Sequence, residues 1–211
     1  MNRTSVLLAD DHGILLDGLV RLLQQDFDVL GTARDGRELM ELAMVKRPDV
    51  IVMDISMPSL NGIDATRMLQ KEGCPSKILL LTMHEDLPLV EEAFRAGASG
   101  FVLKVCDAAE FIKAIQIVAR GTTYITPLLA GDLVTSLMAV GPRTQSRETP
   151  LTARQREVLQ LLAEGKTMKE AAAVMGISTR TAESHKYEIM RLLGVQNTAG
   201  LVRYALRIKL I

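Results

Sequence analysis

From Ser5 to about Arg120, short apolar runs alternate with stretches in which apolar residues recur every three or four positions, the pattern of βαβ units. The runs expected as strands are 6–9, 29–33, 50–53, 78–81 and 101–103. Between them lie helical stripes: Leu15, Leu19, Leu22 and Leu23; Leu39, Met40 and Ala43; Ile63 and Leu69; Leu89, Val90, Ala93 and Phe94. A fifth stripe, Phe111, Ile112, Ile115, Val118 and Ala119, follows the last run. Five strands and five helices in strict alternation predict an α/β fold, a doubly wound five-stranded parallel sheet with right-handed crossovers.

After Gly121 the period changes. Pro127 can open a helix, since proline is tolerated in a first turn, and Leu128, Leu129, Leu133, Val134 and Leu137 continue it at helical spacing. Residues 140–150, Val-Gly-Pro-Arg-Thr-Gln-Ser-Arg-Glu-Thr-Pro, have the composition of a tether. Beyond it a second, smaller all-α domain is expected, with helices at about 153–163, 168–175, 179–193 and 198–208. Thr152 and Gln155 resemble a capping box at its start, and Gly165, Gly176 and Gly194 punctuate it. The division is therefore 1–121, a linker over 122–150, and 151–211.

Charge sharpens this division. The chain of 211 residues has a formal net charge of zero, yet residues 1–136 hold 13 basic and 19 acidic side chains, and residues 151–211 hold 10 and 5. An acidic first part joined to a basic second part suggests two jobs, the second on a polyanion. No apolar run approaches the ~18 residues of a membrane span. The N-terminal segment does not read as a signal peptide, so a cytoplasmic, membrane-free protein is expected. Cys74 and Cys106 are the only cysteines, without CxxC spacing, and read as reduced thiols.

The third strand ends on a carboxylate, Asp54. In an open parallel sheet the carboxyl ends of the strands form the edge where ligands bind. The first strand ends in Asp10-Asp11, the fourth in Thr82 and the fifth in Lys104, so these residues are expected to converge with Asp54 at one edge. Three carboxylates together call for a cation, and a hard ion such as Mg²⁺ takes oxygen ligands. Asp54 would then be a phosphoryl acceptor, forming an acyl phosphate. Lys104 would supply a point charge to the phosphoryl oxygens and Thr82 a hydroxyl donor. His12 and His84 adjoin this edge and are read as lining it.

The residues Leu-Ala-Asp-Asp-His, Val-Met-Asp-Ile-Ser-Met-Pro, Asn-Gly, Leu-Leu-Thr and Gly-Phe-Val-Leu-Lys resemble the receiver domain of bacterial two-component response regulators, over residues 4–120. The resemblance implies a flavodoxin-like receiver in which Asp54 is phosphorylated by a sensor histidine kinase. It also implies that Asp10, Asp11, Asp54 and the Ser56 carbonyl serve Mg²⁺, and that Lys104 contacts the phosphate. Thr82 and Phe101 would form a switch pair, the aromatic ring swinging inward on phosphorylation. The sequence departs from the family at Val105, where many receivers place proline after the lysine, which implies a looser loop. Phe101 also lacks the hydroxyl of the tyrosine often found there.

In the second domain, Lys169-Glu-Ala-Ala172-Ala-Val-Met-Gly176-Ile-Ser-Thr-Arg-Thr-Ala182 has the grammar of a helix-turn-helix. Ala172 is small where two helices approach, Gly176 permits a positive φ, and Ala182, Ile189 and Leu192 continue a buried stripe. Arg180, Glu183, Ser184, Lys186, Tyr187 and Arg191 are left on the outer face, with chemistry suited to base edges and phosphates in a major groove. His185 is expected to pack against the domain.

Residues 151–211 resemble the LuxR-type DNA-binding domain, through Leu-Thr-Ala-Arg-Gln-Arg-Glu-Val-Leu, Ala-Glu-Gly-Lys, Lys-Glu-Ala-Ala and Ile-Ser-Thr-Arg-Thr-Ala-Glu-Ser-His. Receiver plus LuxR-type domain is the NarL/FixJ class of response regulator. The resemblance implies contact with double-stranded DNA through Glu183, Ser184 and Tyr187 at base-reading positions, with Lys186, Thr181 and Arg191 nearby and Lys169 and Arg180 toward phosphates. It also implies a homodimer on phosphorylation, formed through the last helix with Leu201, Tyr204, Ala205 and Ile208, or through the fifth receiver helix. The expected protein is a transcription regulator, not an enzyme. Two rivals are a metal-dependent phosphohydrolase, for which the sequence offers no cap domain, and a receiver acting as a constitutive interaction module without phosphate control.

Overall fold

The computed structural model describes residues 3–131, 151–208 and 210–211. The first part is a parallel sheet of β1 (Ser5–Ala9), β2 (Asp28–Ala33), β3 (Val50–Asp54), β4 (Lys77–Thr82), β5 (Gly100–Leu103) and β6 (Tyr124–Ile125), in the order β2-β1-β3-β4-β5-β6. Strands alternate with α1 (Gly13–Leu23), α2 (Gly36–Lys46), α3 (Gly62–Lys71), α4 (Leu87–Ala96) and α5 (Ala108–Ala119). Because side chains alternate across a strand, each strand feeds two cores. Leu7, Ile51, Met53, Leu80 and Phe101 pack with Leu39 and Ala43 of α2, Leu69 of α3 and Val90 of α4. Val6, Leu8, Val52, Leu79 and Val102 pack on the opposite face with Leu16 and Leu23 of α1 and with Phe111, Ile115 and Val118 of α5. Each fully buried Leu or Ile in these layers contributes about 1.5–3 kcal/mol over its exposed state. Burial on both faces is why the central strands read as unbroken apolar runs.

The expected five strands are six. Tyr124 pairs with Gly100 and Ile125 with Phe101, and Thr126 Oγ1 accepts from the Leu103 N–H at 3.1 Å. A two-residue strand is too short for a period to register, although Thr-Thr-Tyr-Ile-Thr is rich in β-formers. A helix does open at Pro127 and is described as far as residue 131; the rest of the expected linker helix and the tether lie outside the described residues.

The second part is helical: α6 (Ala153–Ala163), α7 (Met168–Met175), α8 (Thr179–Leu193) and α9 (Thr198–Arg207). Thr152 and Gln155 form the capping box expected of α6, and Thr167 with Glu170 forms a second one at α7. Gly176 closes α7 at φ +65°, where a non-glycine residue would be strained. Ala172 and Ala182 are buried where α7 and α8 meet, and Ile189 lies in the domain core.

Two expectations here are corrected. Leu192 is 44% exposed, and it is Leu193, four residues after the buried Ile189, that packs against the core. In α9, Leu201 and Ala205 are fully buried in the domain's own core and Tyr204 and Ile208 pack partly against it. The outward face of α9 carries Arg203 and Leu206, so Leu201 and Ala205, two of the four residues named for a dimer surface, serve the interior, while Tyr204 and Ile208 stay partly exposed.

Candidate functional site

The carboxyl edge of the sheet brings together the residues that the sequence placed there. Asp10 and Asp54 are almost wholly buried, and Lys104 reaches between them, its Nζ 2.7 Å from Asp10 Oδ2 and 2.9 Å from Asp54 Oδ2. Burial pushes the Asp54 carboxyl above its usual range, a shift that the hydrogen bond and charge of Lys104 only partly offset. Burial acts on Lys104 in the opposite sense, but its bonds to Asp10 and Asp54 outweigh it and hold the ammonium above its ordinary value. The pair is thus an ion pair in a low-dielectric pocket, with the cation firmly protonated.

The local backbone explains how Asp54 is held. Ile55 N–H donates to Leu81 O at 3.0 Å and Gly62 N–H to Ile55 O at 2.9 Å, closing the loop after β3 onto the start of α3. A Cβ on Gly62 would overlap the Asp54 carbonyl oxygen, so only glycine allows α3 to begin this close to the acidic residue. Asn61 caps α3, its side chain accepting from the Asp64 N–H. The Ser56 backbone N–H also bonds the Asp54 carboxylate.

Asp10, Asp11, His12 and Asp54 each offer a ligand atom within 4.8 Å of one another. His12 is closer to this cluster than a lining residue need be: its Nδ1 lies 2.8 Å from Asp11 Oδ1 and 3.1 Å from Asp10 Oδ1. Thr82 is buried at the end of β4, and its Oγ1 accepts from the His84 N–H at 3.0 Å. His84 itself points to solvent beside Asp86. Phe101 is fully buried, so the inward position expected of its ring is the one it already occupies. After Lys104 the chain turns through exposed Val105, with the Cys106 N–H closing on Leu103 O at 3.0 Å. Both cysteines are free thiols.

In the helical domain, Arg180, Thr181, Glu183, Ser184, Tyr187 and Arg191 are exposed on one side of α8, Lys186 is half-buried, and Lys169 is exposed on α7. Thr181 is partly occupied locally: Ser178 caps its N–H, and the two hydroxyls lie 2.8 Å apart. His185 is half-buried against the domain, as expected.

A polar contact between the two domains has no signature in the sequence. Arg156 Nε donates to Asp64 Oδ1 at 2.7 Å, Arg37 pairs with the buried Glu157, and Gln160 bonds the backbone of Met57 and Asn61. In sequence, these α6 residues look like the polar side of an ordinary amphipathic helix; only tertiary structure shows that side to be covered. Beside the contact, Ile63, Arg67 and Leu89 of the receiver and Arg156, Ile208 and Leu210 of the helical domain line a cleft.

Comparison with known proteins agrees with this arrangement. The response regulator receiver domain family matches residues 6–116, and the bacterial regulatory proteins of the luxR family match residues 149–205. The transcriptional regulatory protein MctR of Rhizobium johnstonii is 37% identical over 203 residues, 95% of this chain and 92% of that protein. The oxygen regulatory protein NreC of Staphylococcus carnosus is 37% identical over 213 residues, 98% of each chain. Among solved structures, the response regulator ChrA of a heme-sensing two-component system is 31% identical with a TM-score of 0.54, covering 100% of both chains. RcsB of Salmonella typhimurium is 28% identical with a TM-score of 0.60, covering 97% of this chain and 98% of that one. No helix among the described residues is long and apolar enough to cross a membrane. With a receiver at one end and a LuxR-type DNA-binding module at the other, in relatives of matching length, this chain belongs to the two-component response regulators that control transcription, and it is not an enzyme.

Proposed function

We propose that Asp54 is the phosphoacceptor, that a sensor histidine kinase is its donor, and that its phosphorylation controls the binding of α8 to the major groove of double-stranded DNA. The observation that carries this reading is the meeting of Asp10, Asp54 and Lys104 at one strand edge, with Lys104 Nζ within 2.9 Å of both carboxylates. A buried carboxylate with an ammonium ion at hydrogen-bond distance is arranged to attack phosphorus while the developing charge on the phosphoryl oxygens meets Lys104. The phosphorus–nitrogen bond to the kinase histidine breaks as the Asp54 oxygen bonds to phosphorus. Thr82 is assigned to reading the modified state, by exchanging its bond from His84 for one to a phosphoryl oxygen, beside a Phe101 ring that is already inward.

The donor set suits a hard divalent cation, since Asp10, Asp11 and Asp54 supply convergent carboxylate oxygens. Mg²⁺ would be held by these three and the Ser56 carbonyl, and would supply charge neutralisation for the incoming phosphoryl group. The proposed domains are a receiver over 1–121, a linker over 122–150 and a DNA-binding domain over 151–211, in a cytoplasmic protein. Glu183, Ser184 and Tyr187 are assigned to base edges, and Lys169, Arg180, Thr181, Lys186 and Arg191 to phosphates and their surroundings. Dimerisation on two half-sites follows from helix-turn-helix geometry, because one recognition helix covers only half a site.

The test is labelling by acetyl phosphate in the presence of Mg²⁺. Wild type takes up one phosphoryl group and Asp54→Asn none; undiminished labelling of that variant overturns the assignment. A DNA affinity identical in wild type, phosphorylated wild type and Asp54→Ala would favour the phosphate-independent interaction module instead.

A further inference from the structure

Arg156, Glu157 and Gln160 of α6 are 8%, 1% and 1% exposed, an unusual degree of burial for three successive polar positions on one helix. What covers them is the receiver, at the segment that follows Asp54. The Gln160 carboxamide takes two bonds from Asn61, accepting from its backbone N–H at 3.0 Å and its Nδ2 at 3.1 Å, and donates to Met57 O at 2.8 Å. Glu164, one turn further on, accepts from the Ser59 N–H at 3.0 Å and from Gln160 Nε2 at 2.8 Å. Ser59 sits at φ +66°, a strained conformation for a non-glycine residue, and this bond helps to fix it. The Arg156–Asp64 and Arg37–Glu157 pairs flank the grip.

The gripped residues, 57–61, are bounded on one side by Ser56, whose N–H bonds Asp54, and on the other by Gly62, which packs on the Asp54 carbonyl. The loop that shapes the acidic pocket is therefore built from two domains. We propose that Gln160 is a positioning residue for the phosphoacceptor pocket: from the DNA-binding domain it holds the 55–61 loop in the conformation that presents the Ser56 carbonyl to the cation. This rests on the reading of Asp54 and its neighbours given above.

Linkage follows. If the docked α6 favours the cation-binding loop, cation binding favours docking by the same factor. The contact does so without hiding the recognition surface, since Arg180, Glu183, Ser184, Tyr187 and Arg191 are exposed while α6 is docked. The coupling runs through loop geometry.

The experiment uses the full chain and Mg²⁺ alone as the probe, with its dissociation constant read by calorimetry well below the unfolding temperature. Gln160→Met keeps the side chain's size and removes its hydrogen bonds; Arg37→Ala loosens docking from the receiver side without touching the loop. Both are expected to weaken Mg²⁺ binding in the same direction, Gln160→Met by about five- to tenfold, the worth of one or two net hydrogen bonds. The affinity of the folded protein is a quantity that a purely structural role for Gln160 leaves unmoved. Wild-type affinity in both variants, each shown to be folded, overturns the proposal; if Gln160→Met does not fold, Arg37→Ala and Glu164→Gln decide it by the same criterion. A wild-type chain that neither binds Mg²⁺ nor takes label at Asp54 overturns the phosphoacceptor reading itself and the inference with it.

Discussion

The Nζ of Lys104 lies 2.9 Å from Asp54 Oδ2 and, in the same pocket, 2.7 Å from Asp10 Oδ2, so one ammonium ion bridges two buried carboxylates, one ending β3 and one just after β1, and offsets one of their two negative charges. Removing it takes the bridging cation from both and leaves the Asp10 carboxylate, among the described residues, with only its contacts to His12 in a desolvated site. Lys104→Met is therefore expected to destabilise the fold by about 3 kcal/mol, at the low end for loss of one partner of a buried ion pair. Saturating Mg²⁺ should restore part of that loss, because a cation bound to the folded state neutralises the same carboxylates. Urea unfolding of wild type and variant, with and without Mg²⁺, measures both effects. A variant as stable as wild type, or one indifferent to Mg²⁺, contradicts this account of the pocket.

Two glycines separate close approach from mere permissiveness. Gly62→Ala would drive a Cβ into the Asp54 carbonyl oxygen and is expected to cost about 1–3 kcal/mol through overpacking, with loss of labelling at Asp54. Gly18 lies within α1 with nothing inside 4 Å of a built Cβ. Gly18→Ala is expected to stabilise by about 0.5–1 kcal/mol, through helix propensity and a less flexible unfolded chain. Chemical denaturation of both variants reads the opposite signs.

Most of this architecture was legible because the sequence carries it locally. The two-faced burial of β3 makes 50–53 a continuous apolar run, and strand ends are where Asp10, Asp54, Thr82 and Lys104 stand, so strand assignment placed the pocket. Gly176 and the alanines beside it marked the helix-turn-helix for similar reasons. Three features were not legible. The strand β6 is two residues long, below any periodic signal. The inward orientation of Leu201 and Ala205 depends on which side of α9 meets α6, and either face of a mixed helix can be chosen. The burial of Arg156, Glu157 and Gln160 is tertiary: polar side chains at helical spacing predict solvent until a complementary partner covers them.

Tyr124 gives a titration that reports on the strand the sequence did not reveal. Its hydroxyl donates to Glu110 Oε1 at 3.0 Å, tying β6 to α5. Burial, with the hydrogen bond and charge of Glu110, pushes its pKa up to about 12. Since the folded value exceeds the ordinary value of 10.0, this contribution to stability is fully present below that value and is lost as pH rises through about 12. Tyr124 should ionise as a late step, near pH 12, in an absorbance titration of the folded protein. Tyr124→Phe should remove that late step and flatten the fall in stability between these two pH values. A late step that survives in Tyr124→Phe belongs to another residue.

The outer face of α8 combines an acid with bases, and the two classes are expected to fail differently. Lys169 on α7 and Arg191 near the end of α8 are assigned to phosphates. Replacing either with alanine should weaken binding on all sequences alike and reduce the slope of log affinity against log salt by about 0.9. Glu183 cannot neutralise a phosphate; its chemistry at a base edge is to accept from a cytosine N4 amino group. Glu183→Ala should therefore leave the salt slope unchanged, cost about 1–3 kcal/mol on the preferred operator, and relax selectivity at a single base pair. Binding of wild type and the three variants to a selected operator and its single-base substitutions, across a salt series, distinguishes the outcomes. Equal salt slopes for Lys169→Ala, Arg191→Ala and wild type would remove both basic residues from the interface, and unaltered base preference in Glu183→Ala would remove Glu183 from base reading.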